Sequence, residues 1–380
     1  MIHDTDTQKL LYRARLQLEE GQHEVALSVL QDIRTEDEEQ QREVAYLRGW
    51  CYIQFKRWDD ATQVLSALLP PDTEIGTQER QAEREKLVLC LLHLGIAAVN
   101  LSHYEDASLH FTACLKVLHD RRVHFPSVRI KARYSLGMTC LMRGLYSIAI
   151  QHYEEALRLC RHYHDESELA NIYHGLCNAY RCISEYPKAS LAGQQALLIY
   201  RKRGEHVMEA RVHNHLGHVS YLLNDFREAA DHYTESLALA TSFNSSTMVM
   251  LNCADLADLR LAEGRLEEAK RYSNLALNNM ERVDNLHMRG TTYYIIGKVT
   301  HAEAMQAEGA QRRELLEQAL CWFEKAKEQL HTTQAYASMA DVYGFSAQTL
   351  EELGRVEEAI DYWRTGYEML SQKQSLNSLR

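Results

Sequence analysis

The sequence is poor in proline and in positive charge. It has only 4 prolines and 17 glycines among 380 residues, and hydrophobic residues make up 46%. This balance favours helices and predicts an all-α protein. The formal net charge of -11 leaves no basic surface for a phosphate backbone, so we expect no direct nucleic-acid binding.

Paired cysteines and long apolar runs are also missing. The 9 cysteines include no C-x-x-C pair and fall mostly at apolar helical positions, which is typical of reduced core residues rather than of a disulfide framework. No stretch approaches the roughly 18 apolar residues that a membrane span requires, and the N-terminus lacks the pattern of a signal peptide. We therefore expect a cytoplasmic protein without membrane contact.

Motifs for catalysis and metal binding are absent as well. The chain has no G-x-S-x-G, no glycine-rich phosphate loop and no H-E-x-x-H. Histidines are numerous, at 19, and His174, His213, His215 and His218 raise the question of a metal site. No cysteine or carboxylate stands at ligand spacing beside them, so solvated or core histidines are favoured. We predict no enzymatic activity, no cofactor and no metal.

An internal repeat is what the chain does contain. The stretch from Ser167 to Ala240 holds two copies of one pattern forty residues apart, so that Leu176 matches Leu216. An alanine that follows a short turn, here called the anchor, marks the pattern along the whole chain. The anchors are Ala26, Ala61, Ala107, Ala149, Ala189, Ala229, Ala269, Ala319 and Ala359.

Small residues recur twelve positions before most anchors, as at Gly95, Gly137 and Gly217. A small side chain at such a place lets two antiparallel helices approach closely. In repeat 8, Gly297 lies 22 residues before its anchor, so about ten extra residues lengthen a helix or a turn. Glycines that end the first helix of a pair stand at Gly21, Gly144, Gly264 and Gly354.

Two segments carry a family resemblance. Residues 136–157 read LGMTCLMRGLYSIAIQHYEEAL, and residues 216–237 read LGHVSYLLNDFREAADHYTESL. This pattern resembles the tetratricopeptide repeat over roughly residues 8–370, and the resemblance implies a right-handed superhelical solenoid of about nine helix-turn-helix repeats. The forty-residue spacing is similar to the long repeats of kinesin light chains, spindle-orienting adaptors and bacterial regulators that sense secreted peptides.

The expected organisation has four segments. Repeats 1 and 2 occupy residues 1–69, and a proline-containing linker follows at 70–85, because Pro70 and Pro71 forbid a continuous helix. Repeats 3 to 9 occupy 86–370, and a polar tail ends the chain at 371–380.

In this family the first helix of each pair lines the inner surface. Positions -6, -3, +1 and +4 from the small residue form one stripe of that helix. Amide side chains there can bond a peptide backbone, and basic ones can hold a carboxylate. The alternative is that these polar groups are simply solvated. The candidate binding residues are Lys131, Tyr134, Asn171, His174, Asn178, Arg181, Arg211, Asn214, His218, Tyr221, Asp258, Tyr294 and Lys298.

The sequence therefore predicts a non-catalytic interaction module, a sensor or adaptor that binds a peptide or protein segment in its concave groove. One alternative is the ligand-sensing domain of a helix-turn-helix transcriptional regulator whose DNA-binding part is absent from this chain. Another is a phosphatase-like or metal-dependent enzyme. For apolar residues near the C-terminus, such as Trp363 and Tyr367, two alternatives are open: they pair across a homodimer, or the final turn covers them.

Overall fold

The computed structural model describes residues 2–69, 81–119, 124–332 and 336–378. Every regular element within these residues is an α-helix, which confirms the all-α prediction. The linker prolines Pro70 and Pro71 lie outside the described residues.

The described helices follow one another as nine consecutive pairs, so the nine predicted repeats are confirmed. Each repeat consists of an odd-numbered first helix and the even-numbered second helix after it. The pairs are α1 (Ile2–Glu19) and α2 (His23–Asp32), α3 (Glu38–Gln54) and α4 (Trp58–Ser66), α5 (Gln81–Asn100) and α6 (Tyr104–Leu118), α7 (Pro126–Met142) and α8 (Tyr146–Tyr163), α9 (Leu169–Cys182) and α10 (Tyr186–Arg203), α11 (His206–Leu222) and α12 (Phe226–Ser242), α13 (Ser246–Ala262) and α14 (Leu266–Met280), α15 (Leu286–Gln306) and α16 (Gly309–Thr332), and α17 (Tyr336–Glu352) and α18 (Val356–Ser378).

The turn inside eight of the nine pairs, all except repeat 8, has one recurring geometry. The residue five positions before the anchor has a positive φ, as at Gly21 (78°) and Gly264 (74°), which ends the first helix in the left-handed conformation. Non-glycine residues adopt it at the same place in other repeats, with 57° at Lys56 and 60° at Asn224. The glycine turns are therefore confirmed, and the same turn forms without glycine.

Aromatic rings fill the crossing of several helix pairs. A Cβ on Gly217 would lie 2.6 Å from the ring of Tyr233, and a Cβ on Gly297 would lie 2.4 Å from the ring of Phe323. Both rings are buried and stand four residues after an anchor alanine. The small residues thus make room for a ring of the second helix, which confirms the predicted close approach.

Repeat 8 holds its extra residues in longer helices. Its two helices, α15 and α16, have 21 and 24 residues. The contact between Gly297 and Phe323 is retained. The predicted insertion therefore lengthens the helices without displacing the crossing.

The chain divides into two compact parts, Met1–Ile183 and Ser184–Arg380. This division falls between α9 and α10, away from the expected linker. Helix α5 begins at Gln81 and α18 extends to Ser378, so both helices enter segments that we expected to be linker or tail. The other expected boundaries remain predictions.

Within each part, successive first helices contact one another. Helices α1, α3, α5, α7 and α9 form one such row, and α11, α13, α15 and α17 form another. Each second helix packs against the first helix of its own repeat or of the next one, and among the described residues no second helix contacts another second helix. The first helices therefore occupy the tighter, inner side of each part.

All nine cysteines are free, and seven of them are buried, as expected for core residues. Among the described residues, no helix is both long enough and apolar enough to cross a membrane.

We expect Gly217→Ala to destabilise the fold, because the new Cβ would overlap the buried ring of Tyr233. Overpacking of this kind costs about 1–3 kcal/mol. The matched control is Gly344→Ala, whose Cβ would meet the nearest atom of Trp363 at 3.4 Å, an ordinary contact. The control should gain up to about 1 kcal/mol from helix propensity. Urea unfolding of the two variants tests the difference, and equal stabilities would contradict this packing.

Candidate functional site

A row of polar side chains crosses three first helices of the C-terminal part. We call it the inner polar row, and it starts on α11, continues on α13 and ends on α15. Its members are Asn214, His218, Tyr221, Asn252, Asp255, Asp258, Tyr294 and Lys298. All except the buried Asn252 are half-buried, so the row is neither core nor freely solvated surface.

The first half of the row is centred on Asp255. The Asn214 side chain donates from Nδ2 to Asp255 Oδ2 at 2.6 Å and to Asn252 Oδ1 at 3.1 Å. His218 Nε2 lies 3.4 Å from the same Asp255 oxygen. Asn252 is held in turn, because its Nδ2 donates to the carbonyl of Met248 at 2.8 Å. These bonds fasten α11 to α13.

Asp258 is the centre of the second half. It accepts a hydrogen bond from Tyr221 Oη at 3.3 Å and pairs with the ammonium of Lys298 on α15. Burial, with the nearby Asp258 carboxylate, raises the pKa of Tyr221 to about 12, so the phenol stays protonated and remains a donor. One carboxylate thus ties α11 to α15.

Two aromatic rings surround Lys298. Its Nζ lies 5.5 Å from the centre of the Tyr294 ring and 5.5 Å from that of Phe345 on α17. The two rings meet edge to face at 5.6 Å. A cation between ring faces is attracted by their π electrons, so the ammonium is fixed by both charge and aromatic contacts.

One candidate of the inner wall, Asn214, is already bonded within the protein. The sequence predicts that its amide offers a donor and an acceptor to a peptide backbone, and that role remains a prediction. Both hydrogens of the Asn214 amide are donated to side chains of α13. Among the described residues, no group donates a hydrogen bond to its Oδ1. The amide therefore contributes to packing between repeats and has an acceptor left for a ligand.

The structure brings six of the thirteen candidate residues into this row. They are Asn214, His218, Tyr221, Asp258, Tyr294 and Lys298. Arg211, on the same helix α11, is exposed.

The remaining candidates lie on α7 and α9 of the N-terminal part. Lys131 is exposed and His174 is half-buried. Arg181 donates to Asn178 Oδ1 at 2.8 Å, and Asn171 donates to Glu168 at 2.7 Å. The ring of Tyr134 lies 6.0 Å from that of Tyr153. Their role in binding remains a prediction.

Sequence reasoning missed Asn252, Asp255 and Phe345. Asn252 and Asp255 stand five and two positions before Ala257, outside the stripe that we assigned to the inner wall. A signal was present, because Asp255 is a carboxylate in the run 248–259, where every residue other than Asn252, Asp255 and Asp258 is apolar. A charge in such a run generally has a specific partner.

A second polar cluster, partly buried, joins α11 to α10 and α12. His213 is buried, and its Nδ1 lies 2.9 Å from Nδ1 of His232. Its Nε2 lies 2.9 Å from Arg201, whose Nε donates to Glu209 at 2.6 Å. A guanidinium can only donate, so His213 Nε2 accepts and its Nδ1–H donates to His232. Within the described residues, no three histidine, cysteine or carboxylate groups are placed to hold a metal.

Replacing Lys298 by Met should destabilise the protein, because Asp258 would keep only the hydroxyl of Tyr221. Leaving a partly buried charge without its main partner costs about 1–3 kcal/mol. In a double-mutant cycle, Asp258→Asn and Lys298→Met should couple by at least about 0.5 kcal/mol. The exposed pair Asp361 and Arg364 is the control and should show no measurable coupling. Additive effects at Asp258 and Lys298 would contradict the pairing.

His213 should stay neutral to unusually low pH. Burial, the neighbouring His232 and the Arg201 charge lower its pKa from 6.5 to about 4. The unfolded chain therefore binds this proton more tightly, and the stability contributed by the neutral ring is lost as pH falls from 6.5 towards 4. A pH titration of the His213 ring by NMR, assigned with a His213→Gln variant, checks the midpoint. A midpoint near 6.5 would contradict the cluster.

Comparisons with known proteins agree with this fold. Two sequence profiles described as tetratricopeptide repeat match the chain, one at residues 128–202 and 168–242 and the other at 17–75. Comparison with curated proteins gives no match.

Solved structures resemble the chain over nearly its full length. The apo form of the quorum sensor NprR from B. thuringiensis is 15% identical with a TM-score of 0.71, over 97% of this chain and 99% of NprR. The apo form of RapI is 13% identical with a TM-score of 0.69, over 97% and 98%.

A third similar structure contains a ligand. The Rap conjugation gene regulator of plasmid pLS20, in complex with the Phr* peptide, is 10% identical with a TM-score of 0.56, over 97% and 96%. At these low sequence identities, the similarity is evidence for a shared fold and for nothing more specific. The chain therefore contains tetratricopeptide repeats at residues 17–75 and 128–242, and the described helix pairs continue the same arrangement along it.

Proposed function

We propose that this protein is a non-catalytic sensor or adaptor that binds an extended peptide, or a segment of a protein, along the first helices of its C-terminal part. The observation that carries the proposal is the inner polar row. Its side chains lie on the inner side of consecutive repeats, are half-buried, and are already oriented by one another.

The chemistry of the row suits a peptide backbone. An extended peptide presents N–H and C=O groups at regular intervals and needs side chains that supply both acceptors and donors. Asn214 has an acceptor left, the Asp255 and Asp258 carboxylates can accept further bonds, and the Lys298 ammonium has hydrogens beyond the one that Asp258 accepts. The rings of Tyr294 and Phe345 add apolar contact area for a side chain of the ligand.

Similar folds support a peptide as the class of ligand. NprR is described as a quorum sensor, and the pLS20 regulator is described in complex with a peptide. Both share the fold at low identity, so they support the type of partner and give no information about its sequence.

A sensing role follows from how the row is built. Its bonds join α11 to α13 and to α15, so they also set the angle between neighbouring repeats. A ligand that takes over some of these bonds shifts the packing of successive first helices. Small rotations at each repeat add up along a repeat array, so binding in the row can be transmitted to the ends of this part.

We also propose that the protein acts in the cytoplasm and needs no cofactor. We propose that it does not bind nucleic acid directly. The net charge of -11 opposes contact with a phosphate backbone. Helices α1 to α4 form the first two repeats, so they do not supply the DNA-binding part that the helix-turn-helix alternative requires.

Selection from a library of random, unmodified heptapeptides on the immobilised full chain tests the proposal. The selected peptides should bind the wild-type protein, and Asn214→Ala and Tyr294→Ala should each weaken binding by about tenfold or more, equivalent to about 1.4 kcal/mol. Calorimetry on each folded variant measures the affinity.

The matched control is Asn279→Ala on the second helix α14, where the side chain donates only to the carbonyl of Leu275 in its own helix. It should leave the affinity unchanged. Failure to select any peptide would contradict the proposed function, whereas selected peptides that are insensitive to Asn214→Ala and Tyr294→Ala would place the binding site elsewhere.

A further inference from the structure

A histidine of α15, His301, lies just beyond the end of the inner polar row. It stands three residues after Lys298 and four residues after Gly297, the glycine at the helix crossing. Tyr221 stands four residues after the crossing glycine of its own helix, α11, so His301 has the same place in its repeat as a member of the row. The His301 ring is half-buried. The fixed rotation of α15 therefore aims this ring towards the inner side.

One nitrogen of the His301 ring is bonded to α17. Its Nδ1 lies 2.9 Å from Oγ1 of Thr349, and the same Oγ1 lies 2.7 Å from the carbonyl oxygen of Phe345. Thr349 is fully buried, so water does not compete for its hydroxyl. A hydroxyl has one hydrogen and can donate along only one of these two contacts.

The direction of these bonds fixes the position of the hydrogen on the imidazole. A carbonyl oxygen can only accept, so the Thr349 hydroxyl must donate to Phe345 and accept from His301. The distances agree, because O–H···O bonds are typically about 2.7–2.8 Å long and N–H···O bonds about 2.9–3.0 Å. Nδ1 of His301 therefore carries the hydrogen of the neutral ring, and Nε2 has a lone pair.

This second nitrogen, Nε2 of His301, can accept a bond from a ligand. Among the described residues no group is bonded to Nε2, and the atom reaches solvent. The acceptors of the inner polar row include the charged carboxylates of Asp255 and Asp258, which already have partners. His301 thus adds a neutral acceptor next to them. An extended peptide presents backbone N–H groups that need acceptors of this kind.

The His301 ring is neutral near pH 7. Burial is the largest effect on the ring and lowers the pKa of His301 below 6.5, while Glu352 of α17 raises it and Arg312 of α16 lowers it. Glu352 and Arg312 also pair with each other. Charged groups on the other helices packed against α15 have partners as well, and these pairs are Asp258 of α13 with Lys298 and Lys270 of α14 with Glu303.

From this geometry we propose that His301 is a further ligand-binding residue, whose Nε2 accepts a hydrogen bond from an N–H group of the bound peptide. Protonation of the ring replaces the lone pair with a second N–H group, so acid weakens binding. This assignment rests on the proposed function. It adds to that function a contact beside α17 and a dependence of affinity on pH.

Nitrogen NMR of the imidazole rings in the full chain tests the bonding of His301 directly, with the signals assigned through a His301→Asn variant. Without a peptide at about pH 7.5, the ring should carry its hydrogen on Nδ1 and a lone pair on Nε2. Adding a saturating amount of a heptapeptide selected on the full chain should change the Nε2 signal. A hydrogen on Nε2 in the free protein, or an Nε2 signal that the peptide leaves unchanged, would overturn the proposal.

Calorimetry with a selected heptapeptide that lacks histidine, aspartate and glutamate tests the effect on affinity. In His301→Asn the amide can still donate to Thr349 from close to the place of Nδ1, but no atom replaces Nε2, and circular dichroism checks that the variant is folded. At about pH 7.5 the variant should bind about fivefold or more weakly than the wild type.

The pH profile separates a binding role of His301 from a structural one. An accepted hydrogen bond favours the neutral ring in the complex, so the wild-type affinity is full above the pKa of the free ring and falls as pH decreases below it. Between pH 6.5 and about pH 5, the wild-type affinity should fall more steeply than that of His301→Asn. Other histidines, including His218 in the row, are common to both proteins and cancel in the ratio.

The control is His331→Asn, the same substitution at an exposed histidine in the last turn of the second helix α16. It should change neither the affinity nor its pH profile. Selected peptides that bind His301→Asn as tightly as the wild type, or with a parallel pH profile, would overturn the role of His301 and leave the proposed function standing. Failure to select any peptide would overturn both.

Discussion

The close approach of two helices inside each repeat is the constraint on which the rest of the structure depends. A residue without a large side chain on the first helix leaves space, and in several repeats a ring from the second helix fills it, as Tyr233 does beside Gly217. Because this space accepts one side chain in one orientation, it fixes the rotation of each helix about its own axis. The side chains on the opposite face of the first helix are then aimed in a defined direction.

The inner polar row is a consequence of that fixed rotation. Asp255 and Asp258 on α13 lie one turn apart, and each reaches a side chain on α11. Lys298 on α15 forms an ion pair with the second of these carboxylates, Asp258. Polar groups so placed are stabilised by one another while half exposed, so a peptide that binds there as we propose would meet oriented acceptors and donors. Holding binding groups on rigid elements lowers the entropy lost when a ligand binds.

Much of this fold could be predicted from the sequence, since the anchor alanines, the turn glycines and the longer eighth repeat are local signals. Lys56 in a left-handed turn was not predicted, because nothing in the type of a lysine marks that conformation. Asn224 has the same turn and is of a type that adopts it readily. Part of the site was predicted from the stripe of the first helix. The roles of Asn252 and Asp255 were not predicted, because their contacts depend on the rotation of one repeat relative to the next. The sequence of a single helix does not determine that rotation.

Amide hydrogen exchange of the full chain, with and without a saturating amount of a heptapeptide selected on it, tests the central claim most directly. The account predicts that the peptide slows exchange in the first helices α11, α13 and α15 and leaves the second helices α12 and α14 nearly unchanged. Slower exchange confined to α12 and α14, or no change in either set, would contradict it.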